Sequence, residues 1–130
     1  MKRTALLVLP LLAVTACGGS SGTGAAAPVK DEGTVVAAGA ATAQTAEVDG
    51  QDTLKFKPNV VTAKVGVLTL TMRNAGQVPH NLEFDMTSLG SIGTVGGGQA
   101  KDVKVSFDKP GTYTFQCTFH PGMVGKVVVS

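Results

Sequence analysis

The chain has 130 residues, of which 43% are hydrophobic, and its 11 basic and 9 acidic side chains give a net charge of +2. This near balance, without a basic stripe or a run of like charge, argues against nucleic-acid binding. Only two cysteines are present, Cys17 and Cys117, which excludes a disulfide-stapled scaffold.

The first sixteen residues (1–16) have the pattern of a secretory signal peptide. Lys2 and Arg3 form a basic start, and the apolar stretch that follows is too short to span a bilayer as a mature helix. It closes with the sequence VTAC at residues 14–17, which resembles a bacterial lipobox. The resemblance implies a lipid on Cys17, a membrane anchor and export; the alternative is an ordinary signal peptide with an incidental cysteine.

Residues 17–43 are predicted to form a flexible linker. Gly, Ala, Ser and Thr dominate this segment, and it has almost no large apolar side chains. Such a composition buries too little surface to offset the entropy lost on ordering. A coil of this length has an end-to-end distance of roughly 30 Å. Val35 and Val36 leave open a short strand within the segment.

Residues 44–130 predict one all-β domain, because apolar and polar residues alternate in short runs without a long helical period. The runs centre on Leu54–Phe56, Leu68–Met72, His80–Met86, Val103–Phe107, Tyr113–Phe119 and Val127–Val129. We expect about seven to eight strands packed as a two-sheet sandwich. The glycine-rich segment Ser88–Gln99 is predicted to be an irregular connection between the sheets.

The sequence CTFHPGM, at residues 117–123, carries the strongest functional pattern in the chain. Cys117, His120 and Met123 offer a thiolate, an imidazole and a thioether within seven residues. These ligands, with one further histidine, are the set used by mononuclear electron-transfer copper sites. The chain has one other histidine, His80, at the head of another strand-like run.

Strand parity places both candidate ligands on the core face, since successive side chains of a strand point to opposite faces. Cys117 shares its parity with Tyr113, Phe115 and Phe119, and His80 with Leu82, Phe84 and Met86. A histidine facing a core costs free energy unless its nitrogens find partners. A buried metal ion would supply one.

Other interpretations of these residues are weaker. A lone Cys, Met or His is more often an ordinary core residue, but here both histidines of the chain fall where a copper site needs them. Structural zinc sites prefer four Cys or His ligands. A cysteine nucleophile would need an orienting group and a substrate cleft, for which the sequence gives no sign. A two-copper centre would need a second Cys in the loop. A disulfide with Cys17 would remove the ligand.

On these residues the chain resembles the cupredoxins, the small blue-copper proteins such as amicyanin, pseudoazurin and plastocyanin. The spacing of the loop is most similar to that of amicyanin. The resemblance implies a Greek-key topology for the sandwich. It also implies one copper ion bound by His80, Cys117, His120 and Met123. Asn81 would donate its backbone N–H to the sulfur and brace the ligand loop with its side chain.

The resemblance further implies a function outside the cytoplasmic membrane. The expected activity is that of a one-electron carrier, monomeric and without catalysis, which meets redox protein partners transiently. The ring edge of His120 would be the electron's exit, surrounded by an apolar docking patch of Val78, Pro79, Pro121 and Gly122. The alternative function is copper storage or delivery without redox turnover. A copper enzyme is disfavoured because both histidines are already used.

Overall fold

A computed structural model describes residues 29–130, and the predicted signal peptide and Cys17 lie outside this part of the chain. The described residues form an all-β domain with one short 3₁₀-helix, Thr87–Leu89, and no α-helix. The ten strands are β1 (Thr34–Val36), β2 (Gln44–Gln51), β3 (Lys55–Lys57), β4 (Val60–Ala63), β5 (Gly66–Asn74), β6 (His80–Phe84), β7 (Ser91–Val95), β8 (Ala100–Phe107), β9 (Gly111–Gln116) and β10 (Val124–Val129). Within residues 29–130, no helix has the length and apolar character needed to cross a membrane.

The strands form two sheets packed face to face as a Greek-key β-sandwich. One sheet has six strands in the order β1-β4-β10-β9-β6-β7, and the other has four in the order β3-β2-β5-β8. β4 lies parallel to both β1 and β10, and β2 lies parallel to β5. The remaining pairs are antiparallel. The all-β sandwich predicted from the sequence is confirmed.

Alternating side chains build the core between the two sheets. In β2 and β5 every second residue is buried, as expected for strands that face a core on one side. Four phenylalanines fill the centre, and their rings meet edge to face, the arrangement that aromatic quadrupoles favour. These rings are Phe56, Phe84, Phe107 and Phe115.

The described end of the predicted linker, residues 29–43, contains structure that belongs to the sandwich, whereas residues 17–28 lie outside the described part of the chain. Residues 34–36 form the edge strand β1, where Val35 pairs with Val61 and packs against the core. The segment that follows is also bound to the sandwich, since the Ala41 carbonyl accepts the Val67 N–H at 2.8 Å. Backbone pairing, together with a few apolar contacts from Val35 and Ala37, therefore holds this Gly- and Ala-rich stretch.

The segment Ser88–Gln99 is also more regular than predicted. It contains the end of the 3₁₀-helix and all of β7, which pairs antiparallel with β6. Only Ile92 and Val95 of β7 are buried, so the strand lacks the strict alternation by which the other strands are recognised. The structure contains ten strands where the sequence predicts about seven to eight, and β7 is one of those that alternation does not reveal.

Three neighbouring strands of the larger sheet meet at one end of the sandwich. β6 begins with His80, β9 ends one residue before Cys117, and β10 begins one residue after Met123. β9 lies between β6 and β10. The seven-residue loop 117–123 therefore returns directly above the start of β6, and the sheet itself brings the predicted ligands together.

Candidate metal centre

Cys117 is the centre of a cluster of three potential metal ligands. Its Sγ lies 3.9 Å from Nδ1 of His80 and 3.4 Å from Nδ1 of His120. One ligand atom from each of the three residues lies within 4.8 Å of the others. The thiol is buried, at 2% exposure, and Cys117 forms no disulfide with another described residue.

His80 is fully buried at the start of β6, with its ring against the end of β2. A Cβ placed on Gly50 would lie only 2.8 Å from Cδ2 of His80, so the absence of a side chain there makes room for the ring. Nε2 has no hydrogen-bond partner in the described structure. Nδ1 is the ring nitrogen that faces the Cys117 sulfur, at 3.9 Å.

Burial sets the protonation state of His80. Desolvation first, and then the positive charge that His120 can carry, lower the pKa of His80 below its ordinary value of 6.5. The Gln51 backbone and the Asp52 carboxylate raise the pKa by less. The imidazole is therefore neutral near pH 7, which is the form that binds a metal ion.

The ligand loop is held by its own backbone hydrogen bonds. The Cys117 N–H donates to the Met123 carbonyl at 2.9 Å, and the Met123 N–H donates to the His120 carbonyl at 3.1 Å. Gly122 has a φ of 84°, a left-handed conformation that suits glycine. Met123 is buried, at 1% exposure, beneath the loop, while His120 is only partly covered. The His80 and His120 rings meet edge to face, with centroids 5.0 Å apart.

Asn81 connects the two halves of the site. Its backbone N–H points at Cys117 Sγ from 3.5 Å. Its side chain makes two bonds to Thr118, accepting the backbone N–H and donating to Oγ1, each at 2.8 Å. The loop is thereby fixed to β6 immediately beside the sulfur, an arrangement that orients ligands in metal sites generally.

The four residues predicted to form a docking patch all reach the surface. Pro79, Pro121 and Gly122 are exposed, and Val78 is half-buried. Phe119 was predicted to face the core, but it is 48% exposed and its ring lies 6.4 Å from that of His120.

The alternation of side chains along a strand predicts the wrong direction for Phe119 and for Met86, and the reason is the same for both. β9 ends at Gln116 and β6 ends at Phe84, so the alternation stops before either residue. Met86 is 54% exposed. Phe119, which the alternation pattern places in the interior, therefore belongs to the exposed surface near His120.

The donor set fits a soft, mononuclear site. One thiolate and two imidazole nitrogens converge on a buried point, with the thioether residue Met123 buried in the same loop and no carboxylate in the described cluster. Thiolate and imidazole with a weak thioether suit copper, whereas magnesium or calcium would require oxygen ligands. The neutral imidazole of His80, whose Nδ1 faces the sulfur, agrees with the same assignment.

The fold and site define the class as a β-sandwich metalloprotein with a Cys-His-Met loop. The family model for the cupredoxin-like domain matches residues 11–129, so the chain belongs to the cupredoxin-like family. Amicyanin from Paracoccus denitrificans is 37% identical over 78 residues, which cover 58% of this chain and 59% of that protein.

Two further comparisons agree with this family. Chloroplastic plastocyanin from Oryza sativa subsp. indica is 37% identical over 87 residues, covering 59% of this chain and 56% of that protein. The crystal structure of dithionite-reduced auracyanin from Roseiflexus castenholzii has a TM-score of 0.57 at 19% identity, covering 72% of this chain and 99% of that chain. The chain thus spans somewhat over half the length of these curated relatives, and the last likeness concerns the fold alone.

Proposed function

We propose that the protein is a type 1 (blue) copper protein that carries one electron at a time between redox partners. The observation that carries this proposal is the convergence of Cys117, His80 and His120 within 4.8 Å, with only His120 reaching the surface. The homology to amicyanin and plastocyanin supports it. Copper, held by these three residues and Met123, would supply a one-electron couple between Cu(I) and Cu(II).

The residues around the site would keep its geometry constant as the charge changes. His80 is confined by Gly50, and Asn81 fixes the loop at Cys117 and at Thr118. The backbone bonds between Cys117, His120 and Met123 resist movement of the loop. A site that does not rearrange loses little energy to reorganisation on each transfer, which favours a carrier over an enzyme with an open coordination position.

The surface around His120 fits a transient partner. Phe119, Pro79 and Pro121 are exposed next to the partly covered imidazole, and none of the three bears a charge. A small apolar patch of this kind favours short-lived contact between proteins. We propose that electrons enter and leave through the exposed ring edge of His120.

Charged substitutions at the rim should slow electron exchange without altering the metal. Pro121→Glu or Val78→Glu would place a carboxylate at the rim around His120. When two copies of the protein meet there, each carboxylate must either lose its bound water or repel the carboxylate of the other copy. We expect electron self-exchange to fall roughly tenfold, while copper content and the visible band barely change. Ser106→Glu on β8 adds the same charge on an exposed position of the other sheet and should leave the rate within about twofold.

The same samples distinguish an electron carrier from a protein that stores or delivers copper. A carrier should hold Cu(I) against a competing chelator and exchange electrons rapidly. Rapid loss of Cu(I) with slow self-exchange in the wild-type protein would instead support storage or delivery of copper. Equal rates for the rim variants and Ser106→Glu would reject the docking patch.

We also propose that Cys17, which lies outside the described residues, carries a lipid that anchors the protein to a bacterial cell membrane, with its folded domain outside the cytoplasmic membrane. The wild-type protein should then fractionate with membranes and enter the detergent phase. Cys17→Ala should release it or stop its processing. A soluble wild-type protein that begins at another residue would contradict the anchor and indicate an ordinary signal peptide.

A further inference from the structure

The loop Ala75–Pro79, which leads directly into His80, is anchored from the inside by Asn74. This fully buried side chain donates to the carbonyls of Val78 at 2.7 Å and Val95 at 3.0 Å. Its Oδ1 accepts the Gly76 N–H at 2.9 Å. Asn74 thereby ties the loop to β7, but it leaves the N–H groups of residues 77 and 78 without an interior partner.

Asp52 holds the same loop from the outside. Its Oδ1 accepts both the Gln77 N–H at 2.7 Å and the Val78 N–H at 2.9 Å. A Cβ on Gly76 would overlap the carboxylate, so the two segments lie in direct contact. Asp52 comes from the turn between β2 and β3, in the other sheet, 26 residues before Val78.

The Asp52 carboxylate stabilises the loop Ala75–Pro79 rather than the β2–β3 turn in which it lies. The β2–β3 turn is already closed by a backbone bond from the Leu54 N–H to the Gln51 carbonyl at 2.9 Å. Asp52 is exposed and buries no core surface. The two backbone N–H groups, Val78 first, lower its pKa, so the side chain is an ionised acceptor near neutral pH.

The end of β2 therefore contacts the segment that carries His80 at successive points. The Gly50 carbonyl accepts the Ala75 N–H at 2.9 Å, and the His80 ring packs against Gly50 itself. Asp52 then takes the N–H groups of Gln77 and Val78. Only Pro79 separates Val78 from His80. Because its ring fixes the backbone φ angle, the backbone position at Val78 constrains that of His80.

We propose that Asp52 is a positioning residue for the metal site: by fixing the backbone at Gln77 and Val78, it sets the direction in which Nδ1 of His80 faces Cys117. The inference rests on the proposed function, since the direction of His80 matters for electron transfer only where both residues bind one metal ion. Its effect on the backbone can nevertheless be measured without metal.

Two substitutions separate hydrogen bonding from charge. Asp52→Asn removes the charge but keeps an oxygen that can accept both N–H groups, whereas Asp52→Ala removes both. In the copper-free full chain, Asp52→Ala should speed amide hydrogen exchange at Gln77 and Val78 roughly tenfold and shift the ring resonances of His80. Asp52→Asn should stay within about twofold of the wild type.

The copper-loaded chain gives a second measurement, by visible and electron paramagnetic resonance spectra and by the reduction potential. The loss of charge should shift the potential equally in both variants. Only Asp52→Ala should also change the spectra, because only there can His80 turn. Asp31→Ala is the matched control, since its exposed carboxylate accepts the Gly33 N–H at 2.7 Å and does not contact the His80 loop.

Two results would overturn the inference. One is unchanged amide exchange in Asp52→Ala, and the other is identical behaviour of Asp52→Ala and Asp52→Asn in exchange, ring resonances and spectra. If the wild-type chain gives no visible copper band while the copper-free variants differ as expected, the positioning role stands and the proposed electron-carrier function fails.

Discussion

The Cys117→Ser variant should fold like the wild type and lose the intense visible band of the copper-loaded protein. The band arises from charge transfer between a thiolate and copper, and a serine hydroxyl is neither soft nor ionised at neutral pH. We expect absorbance in the band to fall by roughly tenfold or more. The site should also bind copper more weakly, because two imidazoles and a thioether lack the charge of the thiolate.

The fold of this variant should survive, which makes the result interpretable. Cys117 is buried beside the Asn81 N–H, so a serine hydroxyl finds a partner there, and we expect a cost of about 1 kcal/mol in the copper-free protein. Circular dichroism and denaturant unfolding without copper measure this cost. A visible band that persists in Cys117→Ser, or a colourless copper-loaded wild type, would reject the assignment of the site.

Local patterns predict the inward direction of the ligands because the ligands lie at strand ends where alternation still holds. His80 is the first residue of β6, and Cys117 follows the last residue of β9, so both stay on the core face. Phe119, two residues further along, shares the same parity but lies in the loop. Sequence parity carries no information about the residue at which pairing ends, and the predicted interior therefore extended too far.

Other strands are not recognised from the sequence for related reasons. β7, at an edge of the larger sheet, buries only Ile92 and Val95 and does not alternate strictly. β2 and β4 lie inside their sheets, yet β2 turns mostly small or polar residues toward the core, and β4 is only four residues long. The edge strands β3 and β8 of the smaller sheet do alternate, so apolar alternation, rather than position in the sheet, decides which strands the sequence reveals.

The residues that support His80 are missed because their partners are distant in the chain. Asp52 reaches across 26 residues to Val78, and no local motif records such a bond. Gly50 could have been recognised, since it occupies an inward position in β2 after Ala46 and Val48. A glycine at a core-facing position indicates that another group fills the space its side chain would take.

Gly50→Ala should therefore damage the metal site more than its single added methyl group suggests. The new Cβ would lie 2.8 Å from Cδ2 of His80, closer than such carbon atoms come in proteins, and 3.2 Å from Cγ, which is also tight. Both residues are buried, so the ring must turn or the strand must shift. Overpacking of this kind costs about 1–3 kcal/mol. Because the ring that turns carries Nδ1, we also expect metal affinity to fall by at least roughly tenfold.

The matched control is Gly93→Ala in β7, which pairs with β6 but leaves open space around an added Cβ. It should leave both stability and metal binding near wild-type values, because the methyl group meets no neighbouring atom. Denaturant unfolding of the copper-free proteins and titration with Cu(I) against a chelator measure the two effects. If Gly50→Ala binds Cu(I) as tightly as Gly93→Ala, the end of β2 does not confine His80. If Gly50→Ala lowers the unfolding stability but not the Cu(I) affinity, the strain lies in the β-sheet and not in the His80 ring.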